Sequence, residues 1–144
     1  MNDSEELEEI RVIFTNAKTI AVVGISHNQN RPSREIAEFL VREGYKVVGV
    51  NPGIKNAGDI PVYPDLKSIP FDIDIVDVFR KSEDIPSIIP GVLDKNPKVL
   101  WLQQGIRNDE AVAPVTEKGI KVIQDKCIAV YYRLCYTAHN NDDN

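Results

Sequence analysis

Cysteine and histidine are scarce in this chain, with two of each in 144 residues. Cys127 and Cys135 are too few for a disulfide framework, and no Cys/His pairing at ligand spacing suggests a zinc site. No apolar run approaches the length of a membrane span. The leading stretch, MNDSEELEE, is acidic and unlike a secretion signal. A basic excess is also missing: the net charge is −5, which argues against a nucleic-acid surface. Repeats and low-complexity blocks are absent as well. These absences leave a soluble, cytoplasmic, single globular domain as the expectation. The domain is assigned to residues 1–137, with a polar, disordered tail over 138–144.

The stretch from Thr19 to Gly44 organises the rest. Ile20 to Val23 is a short β-branched run, followed by Gly24 and a polar loop. From Pro32 the period changes: Ile36, Ala37, Leu40 and Val41 fall at helical spacing, and Gly44 supplies a left-handed stop. Pro32 suits a first helical turn, where its missing N–H is not needed. The pattern is strand, glycine turn, polar loop, helix. Such a unit aims free backbone N–H groups and a helix dipole at a guest above the strand, most naturally a phosphate.

Elsewhere the pattern predicts a leading helix over Ser4 to Asn16 and strands over Lys46 to Asn51, Ile73 to Phe79, Val99 to Leu102 and Ile120 to Ile123. Residues 52–61 read as loop, Val62-Tyr63 as a short edge strand, and Asp65 to Ile69 as one helical turn. Further helices are expected from Ser82 to about Asn96, weakened at Pro90-Gly91, from Asn108 to Gly119, and over Ile128 to Cys135. Asp74 and Asp77 are expected either to lie on a shallow strand or to meet polar partners. Alternation of strands and helices implies an α/β fold, a single doubly wound, mostly parallel sheet with helices on both faces. Ligands of such sheets sit at the carboxyl ends of the strands, at the switch point.

Gly24 onward is not a dinucleotide fingerprint. Ser26 replaces the second glycine, the third is absent, and the second strand ends in Asn51 where an NAD site wants an acid. Gly24 reads in two ways: as a turn alone, or as a turn that also lets backbone approach a diphosphate, in which case a side chain there would fill ligand space. Arg31, Arg34, Lys55, Arg80 and Lys81 lie on loops that converge above the sheet, which suits several phosphates. Arg34 also reads as a solvated helix-face residue. His27 reads as a loop hydrogen-bonding residue, Trp101 as core, and no paired carboxylates suggest acid–base work. Cys127, at the same edge, reads either as a buried filler or as a thiolate at a helix start.

In chain order, VVGIS with NRPS, then VGVNP, IDIVDVFR, VLWLQQGI and VIQDKC resemble the small stand-alone CoA-binding proteins. These are similar to the N-terminal, Rossmann-like CoA-binding domain of the succinyl-CoA synthetase α subunit. The resemblance covers about Thr19 to Leu134 and implies coenzyme A as ligand. On matching positions it implies that Gly24, Ile25 and Ser26 hold the diphosphate while Arg31, Pro32 and Ser33 close that loop. Asn51 and Pro52 would turn the chain past the adenine, and Phe79 and Arg80 would line the nucleotide. Gln103, Gln104 and Gly105 would line the pantetheine channel, with Cys127 near its thiol end. Lys55 would meet the 3′-phosphate, although here Ile54 intervenes between Pro52-Gly53 and that lysine. The synthetase's phosphorylated histidine lies in a further domain, so the resemblance implies a non-catalytic binding module. Two alternatives stand beside it: a CoA-using subunit of an acyl-transfer or ligase enzyme with a separate catalytic partner, and an NAD(P)-dependent oxidoreductase.

Overall fold

The computed structural model describes residues 2–142, with side chains as far as Tyr136. The tail expected over 138–144 therefore lies outside the residues described to side-chain level. Helix α1 spans Asp3–Asn16, capped by Asn2, whose side chain accepts the Glu5 N–H at 2.8 Å. Asp3, Glu5 and Glu6 in its first turn complement the helix dipole. Strand β1 (Thr19–Val23) leads to α2 (Pro32–Arg42), and β2 (Lys46–Val50) follows. Next come β3 (Asn56–Ala57), β4 (Ile60–Tyr63) and β5 (Ile75–Val78). The chain closes with α3 (Ile85–Lys95), β6 (Val99–Leu102), α4 (Asp109–Glu117), β7 (Lys121–Ile123) and α5 (Ile128–Asp142).

The strands form one seven-stranded sheet in the order β3-β4-β2-β1-β5-β6-β7. Every pairing is parallel except β3 with β4, which is antiparallel. The chain therefore winds outward from β1 in one direction, returns, and winds outward from β5 in the other. The switch point falls between β1 and β5. One face carries α1, α2 and α5 over Ile20, Val22, Ile75 and Trp101. The other carries α3 and α4 over Ala21, Val76, Val78 and Leu100. With both faces covered, central strands can be apolar throughout, as β1 and β6 are. This is the Rossmann-like α/β architecture expected from the sequence. Among the described residues no helix is long and apolar enough to cross a membrane.

Several local expectations need correction. Residues 52–61 are not all loop: Asn56-Ala57 pairs with Ile60-Pro61 across Gly58, whose φ is +62°. Ala57 and Ile60 are buried, which repays ordering of this short hairpin. Strand β4 is also inside the edge, because β3 covers it. Residues 65–69 form a turn in which the Asp65 carboxylate accepts from both the Ser68 N–H and its hydroxyl. Ser82 does not cap α3. It opens a single 3-10 turn (Ser82–Asp84), and its hydroxyl accepts the Arg107 N–H at 3.0 Å instead. Asn108 does cap α4, through Ala111 N–H at 3.0 Å.

Asp74 and Asp77 fulfil neither expectation as a pair. Asp74 precedes β5, where burial alone would raise its pKa. Bonds from the Lys18 and Thr19 N–H groups, and Lys98 nearby, outweigh that and hold the carboxyl below its ordinary value. Asp77 sits inside β5 between Val22 and Trp101, fully buried, with neither carboxylate oxygen hydrogen-bonded. Burial with no compensating partner pushes its pKa well above the ordinary carboxylate value.

Candidate functional site

At the switch point the ends of three strands are stitched together. Gly24 N–H donates to the Val50 carbonyl at 2.9 Å, and Phe79 N–H donates to Val23 at 2.8 Å. Gly24 has φ +87°, and a Cβ there would collide with the Phe79 carbonyl oxygen. Glycine is thus required by contact between protein strands, not only by space reserved for a ligand. Beside it, Ile25 is fully buried. It packs over Gly49, where an added Cβ would stand 2.5 Å from Ile25 Cγ2. A second glycine in β2 therefore makes room for the first residue of the loop.

Above these strand ends lies a pocket of about 350 Å³. The loop and helix-start residues Gly24, Ile25, Ser26, Arg31, Pro32 and Ser33 all line it, joined by Asn51, Phe79 and His27. Ser26 N–H donates to Ser33 Oγ at 3.1 Å, and Asn28 N–H donates to Ser26 Oγ at 3.0 Å. Each serine oxygen thus accepts one bond from the chain and keeps its own O–H free to donate. The backbone N–H groups of Ile25, His27 and Ser33 have no hydrogen-bond partner among the described residues. Arg31 is the N-cap of α2 and is exposed, with no side-chain capping bond and no ion pair among the described residues. The walls are rich in donors and carry a helix N-terminus. Such a wall attracts anionic oxygens.

Asn51 does more than turn the chain. Its amide nitrogen donates to the Ile25 carbonyl at 2.9 Å, and its amide oxygen accepts the Gly53 N–H at 2.8 Å. Arg34 is also not a solvated residue. It is 9% exposed, donates from Nη1 to the His27 carbonyl at 2.7 Å, and pairs through Nε with Glu38 at 2.9 Å. Its guanidinium also abuts Gly58 of the β3–β4 turn. Arg34 is therefore a clamp on the loop's outer side, and nothing in the sequence spacing distinguishes it from the exposed, pocket-lining Arg31.

The other expected residues are distributed around this pocket. Pro52 and Arg80 line a second pocket of about 460 Å³, with Leu66, Lys67 and Ile88. Arg80 Nε lies 3.5 Å from the position of a Gly24 Cβ, so the arginine runs behind the glycine turn. No hydrogen bond or ion pair ties Arg80 to any described residue. Lys67, at this pocket, was not singled out from the sequence because a lone surface lysine in a turn carries no signal. Lys55 is exposed and lines neither pocket.

Gln103 is 5% exposed, and its side-chain oxygen accepts the Ile128 N–H at 3.0 Å, capping α5. That bond places it in the protein's own framework. Gln104 and Gly105 are exposed along the end of β6, and Gly105 N–H donates to Asp125 at 2.6 Å. Asp125 has a φ of +58°, unusual for a residue with a side chain, and this bond fixes the β6 and β7 loops to one another. Cys127 is half-buried in a groove of about 730 Å³ between α2 and α5, shared with Gln29, Phe39 and Arg133. Cys135 is buried, and burial pushes its thiol up to about 11.

Residues 18–133 match the CoA binding domain family. The Bacillus subtilis (strain 168) protein YneT is 41% identical over 126 residues, covering 88% of this chain and 93% of the relative. A solved structure from Thermus thermophilus is 33% identical with a TM-score of 0.87, covering 94% of this chain and 99% of that one. The dinucleotide-forming acetyl-coenzyme A synthetase 1 of Ca. Korarchaeum cryptofilum, in its apo form, shares the fold. Its TM-score is 0.65 at 21% identity, with 76% of this chain and 26% of that one covered. Family match, relative and fold agree with the strand-end motifs: this chain belongs to the CoA binding domain family.

Proposed function

We propose that this chain binds coenzyme A, or an acyl-CoA, at the carboxyl edge of its sheet, as a binding module without catalysis of its own. The observation that carries this reading is the set of uncommitted donors in the switch-point pocket. Ile25, Ser26, His27, Arg31 and Ser33 all line one small volume, and among the described residues their hydroxyl protons, three of their backbone N–H groups and the Arg31 guanidinium have no partner. A diphosphate would satisfy them together, since phosphate oxygens accept and never donate once ionised. In a chain of net charge −5, such a local gathering of donors is specific to the site.

Arg80 lines the pocket that holds Pro52, Leu66 and Ile88, and its Nε lies 3.5 Å from where a Cβ on Gly24 would stand. An apolar wall beside a cation suits the adenine end of the ligand. The arm carrying the thiol would then leave along the exposed Gln104-Gly105 edge, toward the groove that holds Cys127. Coenzyme A would supply a thiol for acyl exchange, and the residues here would hold and orient it. The reading as a module rests on the kind of groups present: hydroxyls, amides and guanidinium groups suited to holding oxygen anions. Two unpaired cysteines fit a reducing compartment such as the cytoplasm.

The test is a native mass spectrum of the purified protein, followed by calorimetry with CoA, acetyl-CoA, NAD and NADP. Similar affinity for CoA and acetyl-CoA, with weaker binding of NAD and NADP, is expected. Tighter binding of NAD than of CoA would sink the proposal. Co-purification of a ligase-like subunit would place the chain within a larger enzyme instead.

A further inference from the structure

We propose that Asn51 is the positioning residue that sets the ligand class of this pocket, by fixing the Ile25–Ser26 peptide in one orientation. This rests on reading the pocket as a site for the coenzyme A diphosphate. A trans peptide points its carbonyl and its N–H in opposite directions. Here both ends are held. The Ile25 carbonyl accepts from Asn51 Nδ2 at 2.9 Å, and the Ser26 N–H donates to Ser33 Oγ at 3.1 Å. One grip comes from the end of β2, the other from the first turn of α2.

The orientation matters because the loop must present donors. Were this peptide to flip, an acceptor oxygen would replace a donor beside Ser33, and lone pairs would face the phosphate. Asn51 itself is anchored twice more, by its N–H to the Tyr63 carbonyl at 2.9 Å and by Gly53 N–H to its Oδ1 at 2.8 Å. One N–H and one lone pair of the side-chain amide are therefore committed to the protein, which fixes its orientation.

That commitment has a consequence for specificity. In a dinucleotide site, an acid at the end of the second strand accepts bonds from the ribose hydroxyls. Asn51 occupies the equivalent strand end, but its oxygen already accepts the Gly53 N–H, and its amide nitrogen presents donors where an acid would present acceptors. Such a side chain favours phosphate oxygens over the hydroxyl donors of a sugar. Changing Asn51 to Asp would, on topology alone, create an NAD site. In this structure it instead removes the only donor to the Ile25 carbonyl among the described residues and sets a carboxylate oxygen against it.

The experiment compares wild type with Asn51→Asp, Asn51→Ala and Ser33→Ala. In the ligand-free proteins, amide hydrogen exchange at Ser26 is measured against the amides of α3 as an internal control of folding. Exchange at Ser26 should quicken by about tenfold in each variant, the loss of roughly one hydrogen bond, with α3 unchanged. Calorimetry should show CoA affinity falling about 10- to 100-fold in Asn51→Asp, with no gain for NAD. Retained CoA affinity, a gain for NAD, or unchanged exchange at Ser26 overturns the inference. Should wild type ignore CoA while Ser26 exchange responds as expected, the ligand assignment falls and the peptide lock stands. If Asn51→Asp does not fold, Asn51→Ala and Ser33→Ala decide the matter.

Discussion

The carbonyl oxygen of Phe79 occupies the space that a side chain on Gly24 would need. The two residues belong to the central strands on either side of the switch point, so the sheet itself dictates the glycine. Gly24→Val should therefore destabilise the fold as well as the site. The left-handed φ costs about 1–2 kcal/mol and the displaced strand end about 1–3 kcal/mol more. Thermal denaturation of Gly24→Val checks this. A variant that melts like wild type and merely fails to bind would show that the ligand, not Phe79, owns that space.

Arg80 should behave in the opposite way. It forms no hydrogen bond or ion pair with any described residue, yet it borders the pocket that holds Pro52 and runs behind Gly24. Arg80→Ala should cost about 1.5–3 kcal/mol of CoA affinity if it makes a charge-assisted contact to ligand. Acetyl-CoA should lose the same amount, because the acyl end is remote. The melting temperature should hardly move. A lower melting temperature with intact affinity would assign Arg80 a structural role.

Gln103 offers a direct trial of the pantetheine channel implied by the family resemblance. Its oxygen caps α5 through the Ile128 N–H. Gln103→Leu should lose about 1–3 kcal/mol of stability, the cost of an unsatisfied buried donor. If the amide serves the helix alone, CoA affinity measured below the melting transition stays at the wild-type value. A large affinity loss would return Gln103 to the ligand.

Asp77 predicts a pH dependence. Its folded-state pKa is raised by burial, whereas the unfolded chain titrates at the ordinary value. Between those two values the folded state holds more protons. The contribution of Asp77 to stability is then greatest at low pH and falls as pH rises, with a limiting slope of about 1.4 kcal/mol per pH unit. Asp77→Asn removes the titration without changing shape. The variant should gain on wild type progressively as pH rises above the ordinary carboxylate value, read as a widening gap in melting temperature. Parallel curves would mean that the carboxyl finds a partner in solution.

The sequence exposed those features whose signal is local. Pro32, Gly44 and the apolar spacing of α2 mark its helix, and the β-branched run before Gly24 marks the first strand and its turn. Position in the α/β alternation then placed Asn51 and Phe79 at the right edge. What stayed hidden depends on partners far along the chain. Asn56-Ala57 carries no strand pattern, and becomes a strand only because Ile60 returns across Gly58. Arg34 and Arg31 look alike in sequence, but one is buried against His27 and Glu38 while the other is exposed. A carboxylate in the pattern of β5 implies a shallow strand or a polar partner, and Asp77 has neither among the described residues. Its isolation follows from having Val22 and Trp101 as strand neighbours.

Trp101, the single tryptophan of the chain, is fully buried on β6. Its indole N–H donates to the Lys126 carbonyl at 2.8 Å, and its ring meets Phe14 and Tyr131 at centroid distances of 5.6 and 6.3 Å. The molecule thus carries one indole fluorophore, selectively excited beside its five tyrosines, seated where α1, α5 and the sheet converge. Its emission should be blue in the native protein and shift red when that aromatic junction opens to water. Unfolding can then be followed optically at a junction that does not include the site, while ligand titration should leave the signal nearly silent.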